Sequence, residues 1–220
     1  PFLEILQNDD LLQDRDQRTD YFEVVSEQTY PSYIKRELYF QEQNMDAIRA
    51  VLYLPTTGTA PYPVVMMLHG HANSGEIFFD NVSAQQLLEQ GIAVFAPDIK
   101  MFGIMTELKQ YNYGNPTHFL HARLMNLDRT AYGVLVYQTI LFLDYLQQNK
   151  TVDGTRIGVM GHSGGSSLAT ILITLDSRVK FVIADNTIGW KTSGTSIDLD
   201  TPPEEKLPGL YCGQVPERLQ

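Results

Sequence analysis

Five consecutive residues, Gly161-His162-Ser163-Gly164-Gly165, have the spacing G-x-S-x-G. A serine hydroxyl attacks a carbonyl carbon well when the backbone exposes it and nearby N–H groups stabilise the oxyanion that forms. In this motif the serine lies in a strained turn from a strand into a helix, and small flanking residues let the two elements approach. An apolar strand pattern precedes the motif and a helical pattern follows it, which favours Ser163 as a nucleophile over a glycine-rich turn without chemistry.

The oxyanion of such a reaction needs two backbone donors. The N–H of Gly164, at the start of the helix, is predicted to be the first. The second should come from the loop after a neighbouring strand, where the sequence has Leu68-His69-Gly70-His71. We assign it to the N–H of His71, with Ala72 as the next candidate. The His69 side chain is expected to support this loop by hydrogen bonds rather than to titrate in catalysis.

The elements that must position these residues follow from the hydrophobic pattern. Two alternating segments, 33–40 and 47–54, predict an antiparallel hairpin with its turn at 43–46. Continuous apolar runs predict buried strands at 64–68, 92–96, 156–160 and 179–184, and helical patterns fall at 82–90, 121–148 and 164–174. Alternation of strands and helices is typical of a parallel sheet, so the sequence predicts an α/β domain over residues 33–220.

The N-terminal residues 1–32 contain eight acidic side chains and only two basic ones, Arg15 and Arg18. Phe2, Leu6 and Leu12 have a loose helical spacing. The sequence therefore predicts a short helical or irregular lead-in that packs on the domain.

Composition excludes several classes of function. A net charge of −10 argues against nucleic acid as a partner, because phosphate contacts need clustered Lys and Arg. No apolar run is long enough to span a bilayer, so a membrane partner is not expected. A single cysteine, Cys212, rules out an intrachain disulfide and slightly favours a reducing, cytoplasmic compartment. No metal or cofactor is expected, and a homo-oligomer is compatible with the sequence without being required.

Several segments together resemble a known family: Val65 to Asn73, Ala96-Pro97-Asp98, Asp153 to Gly165, and Leu175-Asp176-Ser177-Arg178. They look like the α/β-hydrolases of the dienelactone hydrolase and acetyl xylan esterase group. The resemblance implies the α/β-hydrolase fold, with a mostly parallel twisted sheet, helices on both faces and an antiparallel N-terminal hairpin. It also implies hydrolysis of a small-molecule ester, with a small acyl group such as acetyl, through an acyl-enzyme on Ser163. The chain departs from its relatives after Asp98, at residues 99–103.

The base and the acid of a catalytic triad are not evident. In this fold the order along the chain is serine, acid, histidine, yet none of the five histidines follows Ser163; they are His69, His71, His118, His121 and His162. His162 is disfavoured as the base because side chains adjacent to such a turn diverge from it. Asp185 is expected to be a structural strand-end residue rather than a displaced triad acid. Asp98 is expected to fix its loop.

Three explanations for the missing histidine remain open. The favoured one is that the α/β-hydrolase domain is incomplete at the C-terminus. A histidine from the 118–121 region could serve instead, or the protein could be a non-catalytic binding module. A peptidase of the prolyl-oligopeptidase type, which shares the serine motif, is the alternative among enzymes.

Overall fold

The computed structural model describes residues 21–41, 48–70, 73–99 and 131–185 of the chain. Within these residues, seven strands form one sheet. The strands, in chain order, are β1 (Tyr21–Thr29), β2 (Tyr33–Gln41), β3 (Ile48–Pro55), β4 (Tyr62–Leu68), β5 (Ala93–Pro97), β6 (Val152–His162) and β7 (Val179–Asp185).

The sheet is mixed. Its spatial order is β1-β2-β3-β5-β4-β6-β7. Strands β5, β4, β6 and β7 run parallel, whereas β1, β2 and β3 pair antiparallel with one another and β3 pairs antiparallel with β5. The predicted parallel strands and the antiparallel hairpin are therefore confirmed, and the hairpin turn at 43–46 lies outside the described residues. The C-terminal ends of β4 and β6 lie side by side, because Leu68 at the end of β4 pairs with Gly161 near the end of β6.

Helices cover both faces of the sheet, as predicted. They are α1 (Gly75–Asn81), α2 (Gln85–Glu89), α3 (Ala131–Gln148) and α4 (Gly164–Leu175). One buried cluster joins α3 and α4 to the sheet, with Phe95, Phe142 and Leu168 among its members. A second cluster joins α1 and α2 to the other face, around Phe78 and Met67. No helix of the described ranges combines the length and the apolar character needed to cross a bilayer.

Arg178 attaches the start of β7 to the helical layer. Its guanidinium binds Asp176 just before the strand and Asp144 on α3, with Nη–Oδ distances of 2.5 Å for both. All three side chains are largely buried, so both ion pairs are shielded from solvent. They hold the start of β7 against α3. The predicted long helix is seen over Ala131–Gln148, and its earlier part, 121–130, lies outside the described residues.

One prediction about the first half of the chain was wrong, and one helix was not predicted. Residues 21–29 form a strand that pairs with β2, not a helical or irregular lead-in. The acidic charges concealed a segment of high β-propensity, in which Phe22 packs on Phe40 and Tyr145. Residues 1–20 lie outside the described residues. The helix that was not predicted is α1, which has only seven residues and is therefore too short to show a clear helical period in the sequence.

Strand β7 is the last strand of the sheet within the described residues. Its two large apolar side chains on one face, Phe181 and Ile183, are 47% and 50% exposed. Strands β4 and β5, at the centre of the sheet, are instead almost completely buried over Val64–Leu68 and Ala93–Pro97. The site described below therefore lies between the buried strands of the sheet centre and the outermost strand of the described sheet.

Candidate active site

Ser163 occupies a sharp turn between β6 and α4. It has φ 54° and ψ −120°, a conformation that side-chain-bearing residues rarely adopt. Only Ser163 and Ser83 have positive φ among the described residues other than glycine. The surrounding contacts must compensate for this strain, which amounts to about 1–3 kcal/mol for a residue of this kind. The strained turn leaves the Ser163 side chain partly exposed, while its neighbours Gly161 and Gly164 are buried.

The two flanking glycines are required by close approach of backbones. A Cβ atom on Gly161 would lie 2.7 Å from the Cα of Ser166. A Cβ atom on Gly165 would lie 2.6 Å from the carbonyl oxygen of His69. Both distances are far inside van der Waals contact, and the obstructing atoms belong to the backbone. The small residues therefore let β6, α4 and the end of β4 meet at Ser163, as the motif predicted.

The backbone groups of Ser163 are occupied. Its N–H donates to the carbonyl oxygen of Asp185 at 3.0 Å, and its carbonyl oxygen accepts from the N–H groups of Ser166 and Ser167 at 3.0 and 3.3 Å. Ser163 is thus the N-cap of α4. The N–H of Gly164 is the first of the helix, and such a group has no acceptor within its own helix. The positive end of the helix dipole lies at the same place.

The loop that follows β4 runs directly against Ser163. A Cβ atom on Gly70 would lie 2.9 Å from the Cβ of Ser163 and 3.5 Å from its Oγ. The backbone of this loop therefore contacts the serine, as an oxyanion-binding loop requires. The next two residues, His71 and Ala72, lie outside the described residues, so the predicted second donor stays a prediction. Gly70 itself was not singled out, although a glycine directly after a strand end is a signal of close backbone approach.

His69 supports this loop, as predicted. It is completely buried. The N–H of Ile99 donates to its Nε2 at 2.7 Å, so Nδ1 carries the ring hydrogen and donates to the carbonyl oxygen of Gly70 at 2.7 Å. Burial lowers the pKa of His69 below its ordinary value of 6.5, against the opposing influence of the Gly70 carbonyl and of Asp98. A neutral ring thus links the ends of β4 and β5.

Asp98 fixes its loop, which also confirms the sequence interpretation. Its Oδ1 accepts the N–H of Gly75 at 2.9 Å, at the start of α1, while its own N–H donates to the carbonyl oxygen of Arg49 at 2.9 Å. The Arg49 guanidinium also binds Glu37, Glu76 and Asp98. These contacts hold α1 on β3 and β5. Burial opposes ionisation of Glu76, but hydrogen bonds from Lys35 and Arg49 outweigh it and lower the pKa of this carboxyl.

His162 and Asp185 form a pair that sequence reasoning missed. They are aligned partners at the ends of β6 and β7, and His162 Nδ1 lies 2.9 Å from Asp185 Oδ2. The expected role of Asp185 as a structural strand-end residue agrees with this contact to β6, and the turn that follows Asp185 lies outside the described residues. The sequence carries no local signal for this pair, because it depends on β6 and β7 being neighbours and on their register.

No group of three potential metal-ligating side chains occurs within the described ranges. The histidines at 118 and 121, which were weighed as a base, lie outside those ranges, as does the departure from the family pattern at residues 100–103.

A sequence model of the acetyl xylan esterase (AXE1) family matches residues 12–188. The chain belongs to the acetyl xylan esterase family. The match includes the strand that was first assigned to the lead-in, both strand-end histidines and the complete serine motif. The resemblance drawn from short segments of sequence is therefore confirmed, as is the α/β-hydrolase fold.

Individual proteins are also similar to this chain. Esterase FrsA of Yersinia enterocolitica is 24% identical over 211 residues, which cover 93% of this chain and 44% of that protein. The structure of an acetyl xylan esterase from Paenibacillus sp. R4 has a TM-score of 0.61 at 21% identity, covering 83% of this chain and 58% of that one. A glucuronoyl esterase from Solibacter usitatus has a TM-score of 0.55 at 17% identity, covering 76% and 51%.

The chain spans about half the length of the relatives it matches. Identities of this size between solved structures establish a common fold and leave the substrate open. The fold is shared here by proteins named for two different esters, so the fold itself does not select an ester.

Proposed function

We propose that this member of the acetyl xylan esterase family hydrolyses carboxylic esters with Ser163 as the nucleophile. The observation that carries the proposal is the strained conformation of Ser163, with φ 54°, between β6 and α4, and with Gly70 packed against it. A fold does not maintain such strain without compensation, and strained residues cluster at functional sites. Family membership supports the same class of reaction.

In the proposed reaction, Ser163 Oγ attacks the carbonyl carbon of the ester and its proton passes to a base. The tetrahedral intermediate collapses, the alcohol leaves with a proton, and an acyl-enzyme remains on Ser163. Water then adds to the acyl carbon, and the carboxylic acid departs as Ser163 regains its proton. The reaction as written uses neither a metal nor a cofactor.

The oxyanion donors follow from which N–H groups have acceptors. Because the N–H of Ser163 is bound to Asp185, the next N–H along the chain, that of Gly164, is the one available at the turn. The positive end of the α4 dipole adds to its effect on a developing negative charge. The second donor in the proposal is the N–H of His71, directly after the Gly70 backbone that contacts Ser163.

The proposal assigns the general base to no described histidine. Both ring nitrogens of His69 form hydrogen bonds, and its burial excludes a mobile proton. The Nδ1 of His162 is bound to Asp185, and its Nε2 forms no hydrogen bond with Ser163 Oγ within the described structure, as a base for this serine would require. The substrate in the proposal is a small-molecule ester with a small acyl group, such as an acetylated carbohydrate, in keeping with the family name.

An assay of the protein as its gene encodes it tests the reaction class. We expect release of acetate from acetylated xylan oligosaccharides, and loss of that activity in Ser163→Ala with an unchanged melting temperature. Aminoacyl amides offered in parallel distinguish a peptidase of the prolyl-oligopeptidase type. Cleavage of the amides alone, or full esterase activity in Ser163→Ala, would overturn the proposal.

A further inference from the structure

The ends of β6 and β7 are joined twice at the serine turn. The first link is the hydrogen bond from the N–H of Ser163 to the carbonyl oxygen of Asp185, at 3.0 Å. The second is the side-chain contact of 2.9 Å between His162 Nδ1 and Asp185 Oδ2. A single residue of β7 therefore binds both Ser163 and the residue before it.

His162 also lies close to two other parts of the site, one through its ring and one through its main chain. Its ring centroid lies 6.1 Å from that of Phe78, a buried residue of α1. Its carbonyl oxygen faces Gly70, since a Cβ atom there would lie 3.0 Å from it. His162 thus contacts β7, α1 and the loop after β4, which are three of the elements that surround Ser163.

This position has a mechanical consequence. Strand β7 is the outer strand of the described sheet, and its apolar side chains near Asp185 are half exposed. The residues of β7 near Asp185 are exposed, and main-chain hydrogen bonds in such exposed segments open more readily than those of the buried sheet centre. The charge-assisted contact between His162 and Asp185, the last paired residues of the two strands, restrains such opening next to the main-chain hydrogen bond of Ser163.

We propose that His162 and Asp185 form a latch, meaning their side-chain contact, which holds the serine turn in its strained conformation. His162 is then a positioning residue for the reaction at Ser163. It acts through the backbone of its neighbour and neither touches the ester nor accepts the proton of Ser163. This inference rests on the proposed function for its effect on rate, but the latch itself can be measured without any turnover.

Three variants separate the latch from simple packing. His162→Phe keeps a ring against Phe78 and removes the hydrogen bond. His162→Asn places an amide N–H close to the position of Nδ1 and restores the bond to the carboxylate. Asp185→Ala removes the carboxylate and keeps the main-chain carbonyl that accepts from Ser163, so any loosening of that bond in this variant reports on the side chain.

Two readouts are taken on each variant: the second-order rate of Ser163 labelling by a fluorophosphonate, and the hydrogen exchange rate of the Ser163 amide by NMR. We expect His162→Phe and Asp185→Ala each to slow labelling and speed exchange by about three- to fivefold, the size expected for loss of one partly exposed hydrogen bond to a charged group. His162→Asn should remain within about twofold of the parent in both readouts. The double variant that combines His162→Phe with Asp185→Ala should label as fast, and exchange as slowly, as either single variant.

The two proposals fail in different ways. If the parent protein is labelled but His162→Phe is labelled at the same rate, the latch is overturned while the esterase proposal stands. If the parent is not labelled at all, the esterase proposal fails, and amide exchange alone decides the latch. Unchanged exchange at Ser163 in both His162→Phe and Asp185→Ala would overturn it, and faster exchange that His162→Asn corrects would support it.

Discussion

The two histidines that flank the serine turn lie in contrasting regions. His69, at the end of the central strand β4, is completely buried and uses both ring nitrogens in hydrogen bonds to the backbone. The side chain of His162, at the end of β6 beside the outer strand β7, is 38% exposed and binds the side chain of Asp185. The same residue type therefore ties backbone to backbone at the sheet centre and side chain to side chain at its edge.

This difference separates stability from positioning. Removing a buried side chain leaves its hydrogen-bond partners unsatisfied, which costs more free energy than removing an exposed side chain whose contacts water can replace. We expect changes at the end of β4 to affect unfolding of the whole domain. Changes at the ends of β6 and β7 should instead alter the geometry around Ser163 and leave global stability almost intact.

The largest effect should come from Gly165, in the first turn of α4. In Gly165→Ala the new methyl group would overlap backbone atoms of Leu68 and His69, which cannot move, so we expect a loss of at least about 3 kcal/mol in the free energy of unfolding. Gly158→Ala is the matched control, since the three atoms nearest to its methyl group all belong to the ring of Phe181, which is 47% exposed and can rotate away. Urea denaturation should show a loss below about 1 kcal/mol there, and equal losses would contradict the contrast between centre and edge.

The next effect concerns His69 itself. His69→Leu keeps a buried side chain of similar size but leaves the N–H of Ile99 and the carbonyl oxygen of Gly70 without their partner. We expect a loss of about 3 kcal/mol in the free energy of unfolding, compared with less than about 1 kcal/mol for His162→Leu. If His162→Leu proves the more destabilising in urea, the assignment of the two histidines is wrong.

The smallest effect is a pH dependence that the buried histidine introduces. Because burial lowers the pKa of His69 in the folded state, the unfolded chain binds more protons as the pH falls below about 6.5. The free energy of unfolding should therefore decrease as the pH falls from about 8 to about 5. One proton limits the slope to about 1.4 kcal/mol per pH unit. His69→Leu lacks this contribution, so the stability difference between parent and variant should narrow as the pH falls.

A parallel titration of His162→Leu provides the control, and both series should stay above about pH 5, where carboxyl groups such as Glu76 begin to lose stabilising charge. If the difference in the free energy of unfolding between the parent and His69→Leu is constant with pH, the His69 ring has the same pKa in the folded and unfolded states, which contradicts the prediction.

The sequence predicted much of this site because the motif and the apolar runs carry local information. Gly161 and Gly165 indicate close approach whatever lies opposite them, and the run at 64–68 indicates a buried strand. The pair of His162 and Asp185 could not be found in the same way, because it depends on which strands lie side by side and in which register. Strand β1 was missed for a related reason: its acidic residues face solvent, and Phe22 finds its place only against α3 and β2.

The most direct test of the account is the mass of the intact protein after exposure to a fluorophosphonate, followed by peptide mapping. We expect one adduct, located on Ser163 and absent from Ser163→Ala, because only an activated serine reacts readily with this reagent. An adduct on another serine, or none on a correctly folded protein, would contradict the claim that Ser163 is the nucleophile of this chain.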